Sequence, residues 1–417
     1  MTAPAVVSPP LRLFPLAFAA LTGTMAMMAF VAVIGPVVRR LGLPEWVAGL
    51  SVTAGGVFWM LMARWWGSVS DRYGRKPVLL AGLSVFTVVY GVMAVGVDMA
   101  LRGHLSSLAA VALLIVARSL VGAFYAAVPP AAAAAIADNT LPHERASNMA
   151  KLGSANALGM VAGPAAAGWL ATQDLGIVLY CATVLPAMAL MVIEFGLPRH
   201  KQQNTPSSVP SSRRTSMALL EPRLRQASIT AFVAMTSVAI AQVLVGFFAI
   251  DRLGLNEEEG ARVAGLALTA VGVALIVSQQ CVMHFKQMAL VRWIALGALI
   301  AGLGFSSVLL VQSQVALLAS YGVAAFGMGL VFPNFQAMAA NAVQPHEQGA
   351  AAGTLSAAQG LGMVLGPLAG TLLYHIAPAL PYLLVGVALI ALSLFTMLRH
   401  RKSNVTVVTV SSPEKDV

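Results

Sequence analysis

The sequence predicts an all-α membrane protein of twelve transmembrane helices in two pseudo-symmetric six-helix bundles. Three observations carry that prediction. The chain of 417 residues is 59% hydrophobic and 10% charged, with mean hydropathy +0.83. It divides into apolar runs of bilayer-crossing length. Its two halves repeat one another. A soluble domain carries about 25% charged residues. No soluble core could hide this much apolar surface, so the solvent is lipid.

The first six runs fall near 13–38, 46–67, 77–98, 106–137, 148–171 and 175–197. A spanning helix needs about 20 residues. Arg12 is the only early charge and the run from Leu13 to Val38 exceeds a signal-peptide core, so it reads as a retained span. The polar stretch from Arg199 to Arg225 is rich in Gln, Ser, Pro, Lys and Arg. Such a composition cannot bury itself and predicts a flexible linker, with a short surface helix near Met217–Leu220. The second six runs fall near 226–250, 260–281, 289–311, 314–339, 349–373 and 379–398, and the tail from Arg399 reads as disordered. The expected organisation is an N-terminal segment 1–12, bundles 13–198 and 226–398 joined by the linker 199–225, and a tail 399–417.

The net charge is +10, but its placement argues against a nucleic-acid partner. Of 25 Lys and Arg, Arg39, Arg40, Arg102, Arg252 and Arg262 fall at outer span ends and Arg118 inside a span, which leaves 19 at inner positions. That bias sets membrane orientation, with both termini in the cytoplasm. Cys181 and Cys281 are far apart and lack metal-ligand spacing, so two free thiols, no metal and no cofactor are expected.

The duplication is explicit. Pro142-His143-Glu144 with Leu158-Gly159-Met160-Val161-Ala162-Gly163-Pro164 recurs as Pro345-His346-Glu347 with Leu361-Gly362-Met363-Val364-Leu365-Gly366-Pro367, offset by 203 positions throughout. Arg40-Leu41-Gly42-Leu43 likewise recurs as Arg252-Leu253-Gly254-Leu255. Internal repeats are the mark of transporters that rock one bundle against the other about a midplane site.

Between the second and third runs lies a dense polar knot, Gly67-Ser68-Val69-Ser70-Asp71-Arg72-Tyr73-Gly74-Arg75-Lys76. It must form a tight hairpin, and its positive charges mark the cytoplasmic face. The pattern G-x-x-x-D-R-x-G-R-K resembles the signature loop of the major facilitator superfamily at every fixed position. The resemblance extends over residues 13 to about 400, and the drug/proton antiporter branch is the nearest. It implies a conformational latch of Gly67, Asp71, Arg72, Gly74, Arg75, Lys76 and Asp138. In it Asp71 meets the N-terminus of the eleventh span near Gly349-Ala350-Ala351 in the outward-open state, and Arg75 meets Asp138. The corresponding loop of the second half reads His284-Phe285-Lys286, and Asn341 stands in place of Asp138, so one strong latch is expected rather than two.

Gly159, Gly163, Pro164 and Gly168 on the fifth span combine close-packing positions with a bend. They resemble the family's antiporter motif, with Ala150 where that motif carries an upstream glycine. Arg118 with Gly122 resembles the family's fourth-helix motif. A charge inside a span costs several kcal/mol unless it faces the interior or a wet cavity. The first span holds no acid, and no acid falls near a span centre. That disfavours a dedicated exporter of lipophilic cations. Arg118, Asp138, Glu194 and Asp251 are the candidates for proton coupling. The spans that line the family's cavity place Thr24, Met28, Phe58, Arg118, Tyr125, Asn156, Gln242, Phe247, Asn334, Gln336 and Gln359 there.

The resemblance therefore implies a monomeric, multi-pass protein of a bacterial cytoplasmic membrane. Its expected partners are a small-molecule substrate, protons and lipid. The expected activity is proton-coupled export of a drug-like molecule or metabolite, with a carboxylate siderophore as a specific candidate suggested by Arg118. Import of a sugar or organic acid is the rival reading. An enzyme is disfavoured, because the His143-Glu144 and His346-Glu347 pairs lack further ligands and are explained by duplication.

Overall fold

Backbone in hydrocarbon must close its own hydrogen bonds, and helices do so within one segment. The computed structural model describes residues 13–140, 142–197, 221–284, 288–344 and 347–410. The described residues form thirteen α-helices and a short 3-10 turn, with no strand. The first half comprises α1 (Leu13–Arg40), α2 (Trp46–Tyr73), α3 (Arg75–Leu101), α4 (Ser107–Tyr125), α5 (Val128–Asn139), α6 (Pro142–Leu170) and α7 (Leu175–Gly196). The second comprises α8 (Arg225–Leu253), α9 (Glu257–His284), α10 (Leu290–Ser307), α11 (Gln314–Asn341), α12 (Gln348–Ile376) and α13 (Leu380–Val410).

Eleven segments, with α4 and α5 taken as one, are long and apolar enough to cross a membrane. The chain is a multi-span integral membrane protein. The twelfth expected span is α6, which has the length at 29 residues but carries Lys151, Ser154 and Asn156 along its first half. The fourth run, expected as one helix over 106–137, is broken between α4 and α5. Pro129 and Pro130 sit in the first turn of α5, where their missing N–H groups cost nothing but cannot continue α4. The matching helix α11 keeps a single proline, Pro333, and stays continuous. At the other extreme, α13 runs to Val410, twelve residues into the stretch expected to be disordered. Arg and Lys at 399, 401 and 402 are good helix formers and carry the helix past the apolar residues, while the run from 403 to 410 has no such local preference. The surface helix expected near 217–220 and the Pro345-His346 pair lie outside the described residues.

The packing repeats as the sequence does. α1 lies on α6 as α8 lies on α12, α2 on α4 as α9 on α11, and α3 on α7 as α10 on α13. The halves meet chiefly through α2 with α12 and α6 with α9, two crossings that the same symmetry exchanges. The backbone echoes the duplication as well. Gly42 and Gly254, equivalent in the repeat, both turn the chain after a helix at φ of +63° and +64°, a region costly for other residues.

Candidate functional site

Two ends and a cavity define the site. At one end, here the knot end, Gly74 at φ +95° makes the turn between α2 and α3. The turn brings Arg75 back over α2. Its guanidinium donates to Asp71 at 2.5 Å and Ser70 at 3.1 Å, and to Asp138 of α5 at 2.8 Å. Lys76 is buried, donates to the Leu197 carbonyl at 2.8 Å and lies 3.5 Å from the Glu194 carboxylate, which ties α3 to the end of α7. Arg72 lies over the Tyr73 ring on the exposed surface, and Gly67 has open space around it. Asp71 bonds Arg75 and its side chain is 70% exposed. All these partners belong to the first half.

At the opposite end, the Arg39 end, the partners belong to both halves. Arg39 of α1 donates to Glu45 at 2.9 Å and to Asp251 of α8 at 2.6 Å. The Tyr374 hydroxyl donates to Asp251 at 2.8 Å, and His375 Nδ1 lies 3.0 Å from the other Glu45 oxygen. Arg40 reaches Glu258 of α9 at 2.6 Å. Burial of Glu45 opposes its ionisation, but its backbone hydrogen bond, His375 and Arg39 outweigh that and hold the carboxyl below its usual range. Among the described residues, every ion pair between the halves lies at this end, so the halves are closed here.

Helix α6 and its glycines carry this closure inward. A Cβ on Gly159 would come 2.5 Å from the Leu21 carbonyl oxygen, and one on Gly163 2.5 Å from that of Met25, so α6 can lie against α1 only with hydrogen at both positions. Gly168 faces Gly265 of α9, whose own Cβ would run into the Pro164 carbonyl. This last crossing joins the two halves.

Between the halves lies a cavity of about 260 Å³, walled by α1, α6, α8, α9, α11 and α12 with Phe305 of α10. Of the eleven residues expected to line it, Met28 and Gln242 do so. The others fall elsewhere. Thr24 donates to Asn156 Oδ1 at 2.8 Å with the Tyr125 hydroxyl 3.5 Å away, a cluster within the first half. Arg118 is 2% exposed. Its Nη1 lies 3.2 Å from the Met27 sulfur, its guanidinium sits 4.4 Å from the Phe30 ring centroid, and its Nε has no partner. Asn334 is buried and donates to its own helix at Leu330. Phe58 and Gln336 are exposed and Gln359 half-buried. Phe247 is fully buried at the Arg39 end, beside Gly35 and Tyr374 and under Arg39, because that closure needs an apolar floor. Gln279 lines the cavity and was missed. The polar run Ser278-Gln279-Gln280 at the end of an otherwise apolar stretch was the available signal.

Two related halves, closed on each other at one end over a central cavity, define a membrane carrier rather than an enzyme. The chain belongs to the Major Facilitator Superfamily, whose family profile matches residues 13–285 and 286–415. It is 29% identical over 364 residues to the class G tetracycline resistance protein of Vibrio anguillarum, covering 84% of this chain and 87% of the relative. It is 23% identical to multidrug resistance protein 2 of Bacillus subtilis over 85% of this chain and 87% of the relative. The fold matches that of a bacterial homologue of the human lysosomal transporter Spinster in its inward-facing, occupied conformation. There the TM-score is 0.73 at 15% identity, over 94% of this chain and 98% of the other.

Proposed function

We propose that this transporter is a proton-coupled exporter of a small drug-like molecule or metabolite, working by alternating access in a bacterial cytoplasmic membrane. The observation that carries this reading is the one-sided closure. Among the described residues, the ion pairs that cross the halves, Arg39 with Asp251, Arg40 with Glu257 and Glu258, and His375 with Glu45, lie at one end only. With the basic knot and both termini in the cytoplasm, that closed end is the outer one and the chain is inward-facing. Relatives named for resistance to tetracycline, to multiple drugs and to quinolones favour export over import of a sugar or organic acid. The 199–225 stretch then serves as the cytoplasmic linker.

The candidates for proton coupling separate by position. Asp251 belongs to the outer closure, where its side chain remains 32% exposed. It bonds Arg39 of the first half and Tyr374 of the second, so Asp251 serves as a gate. Asp138 and Glu194 are each tied to a cation of the knot. Arg118 is the candidate buried inside a span; a guanidinium stays protonated, so it acts on coupling through its fixed charge and not as the proton carrier. Asp71 is the latch of the opposite state, in which it would meet the start of α12. A carboxylate there is stabilised by the helix dipole by up to about 2 kcal/mol.

The test is flux in everted membrane vesicles. An acidic lumen should drive accumulation of an uncharged aromatic probe, and collapse of the pH gradient with nigericin should abolish it. Asp71→Asn should lose turnover while its thermal stability stays within about 0.5 kcal/mol of wild type, because an exposed ion pair contributes little. Accumulation indifferent to nigericin would remove proton coupling, and normal turnover in Asp71→Asn would remove the latch.

A further inference from the structure

The central cavity carries no charge. None of its lining residues is Asp, Glu, Lys, Arg or His. The duplication shows how this arose. The same 203-position offset that relates Pro164 to Pro367 carries Arg118 onto Tyr321. Tyr321 lines the cavity, whereas Arg118 lies outside it. The two halves have therefore diverged at one equivalent position, and the half that contributes most of the cavity wall holds the neutral residue. The Tyr321 hydroxyl is itself engaged, 2.7 Å from that of Tyr382 and 3.1 Å from the Ala241 carbonyl.

Two polar side chains remain in the wall, Gln242 of α8 and Gln279 of α9, and neither carboxamide has a hydrogen-bond partner among the described residues. Each therefore presents a free donor and a free acceptor to the cavity. The rest of the surface is apolar and includes five methionines, Met28, Met160, Met235, Met328 and Met363. Thioether side chains are flexible and polarisable, so such a wall adapts to more than one ligand shape. A bare cation or anion would lose several kcal/mol of hydration in this wall and find no counter-charge. An uncharged ligand that matches a carboxamide loses little.

We propose that this cavity binds a compact, uncharged, largely apolar molecule, recognised by its hydrogen bonds to Gln242 and Gln279. The inference deepens the proposed export function and rests on the cavity being the transport site. It also turns the substrate away from the carboxylate siderophore that Arg118 first suggested.

The test is thermal stability of the purified full chain against three probes of similar ring content: benzanilide, tetraphenylphosphonium and benzene-1,3,5-tricarboxylate. A ligand of the folded state raises stability by mass action. Benzanilide is expected to raise the melting temperature of wild type, with the two charged probes inert. Gln242→Leu should raise the concentration needed for half the effect at least tenfold, and Gln242→Glu should exchange benzanilide for tetraphenylphosphonium. If Gln242→Leu does not fold, Gln279→Leu at an exposed position carries the same comparison. Three results overturn the proposal: protection of wild type by either charged probe, benzanilide protection equal in wild type and both leucine variants, or no protection by benzanilide. Binding is read here at equilibrium without a gradient, so a failure of proton-driven export and a failure of this recognition are distinguishable.

Discussion

Arg118 shows how much a single residue can disclose. It is almost wholly buried, held by a sulfur and a ring face and with no carboxylate bonded to it. A buried charge on these terms destabilises the fold, since replacing buried ionic groups with apolar side chains of similar size often stabilises by about 1–4 kcal/mol. Arg118→Met is therefore expected to melt at a higher temperature than wild type and to transport nothing. A variant that is less stable, or that transports normally, would show the arginine to be structural. Glu45 makes a second prediction at this scale. Its carboxyl is held below its usual range by partners that include His375 and Arg39. A depressed carboxyl contributes stability that is present above its ordinary value of about 4.3 and is lost as pH falls through the lower, folded value. Stability of wild type should drop across that acidic window, and Glu45→Gln should flatten the drop. Parallel profiles would rule out the carboxylate as a closing contact.

At the scale of the element, the crossing of α6 on α9 sets how tightly the Arg39 end can shut. Gly265 approaches Pro164 and Gly168 so closely that any side chain must push the helices apart. Gly265→Val should thus hold the Arg39 end open. Spin labels at Gln173 and Gln312, with Cys181 and Cys281 replaced by Ser, should report a longer distance in this variant. An unchanged distance would mean that the crossing bears no part of the closure. The sequence made some of these elements plain and hid others, for physical reasons. The knot was legible because ten consecutive residues carry the turn, the Asp71–Arg75 pair and the cations of the other two pairs, and Arg75 does bond Asp138. The repeated Gly42 and Gly254 were legible for the same local reason. The cavity was not. In lipid the outward face of a helix is as apolar as its packed face, so hydrophobic periodicity cannot say which side of α1, α8 or α11 looks inward. That is why Phe58 and Phe247 could be placed in a cavity that neither lines. The network at the Arg39 end was hidden because its partners lie far apart in the chain, Arg39 from Asp251 by 212 positions and Glu45 from His375 by 330.

For the whole molecule, the duplication, the paired crossings of α2 on α12 and α6 on α9, and the one-sided closure are what the proposed alternating access needs, a body that rocks about its middle. Such a body opens one end only by shutting the other. A channel of the same composition has no such constraint. The most direct test is a pair of distance measurements by pulsed electron paramagnetic resonance in the same reconstituted protein. One pair of labels at Gln173 and Gln312 spans the Arg39 end. The other, at Lys151 and Gln280, spans the knot end. Asp251→Asn, which weakens the closure at the Arg39 end, is expected to lengthen the first distance and shorten the second together. Both distances lengthening at once, or the second staying fixed while the first grows, would contradict alternating access and return the chain to a channel-like mechanism.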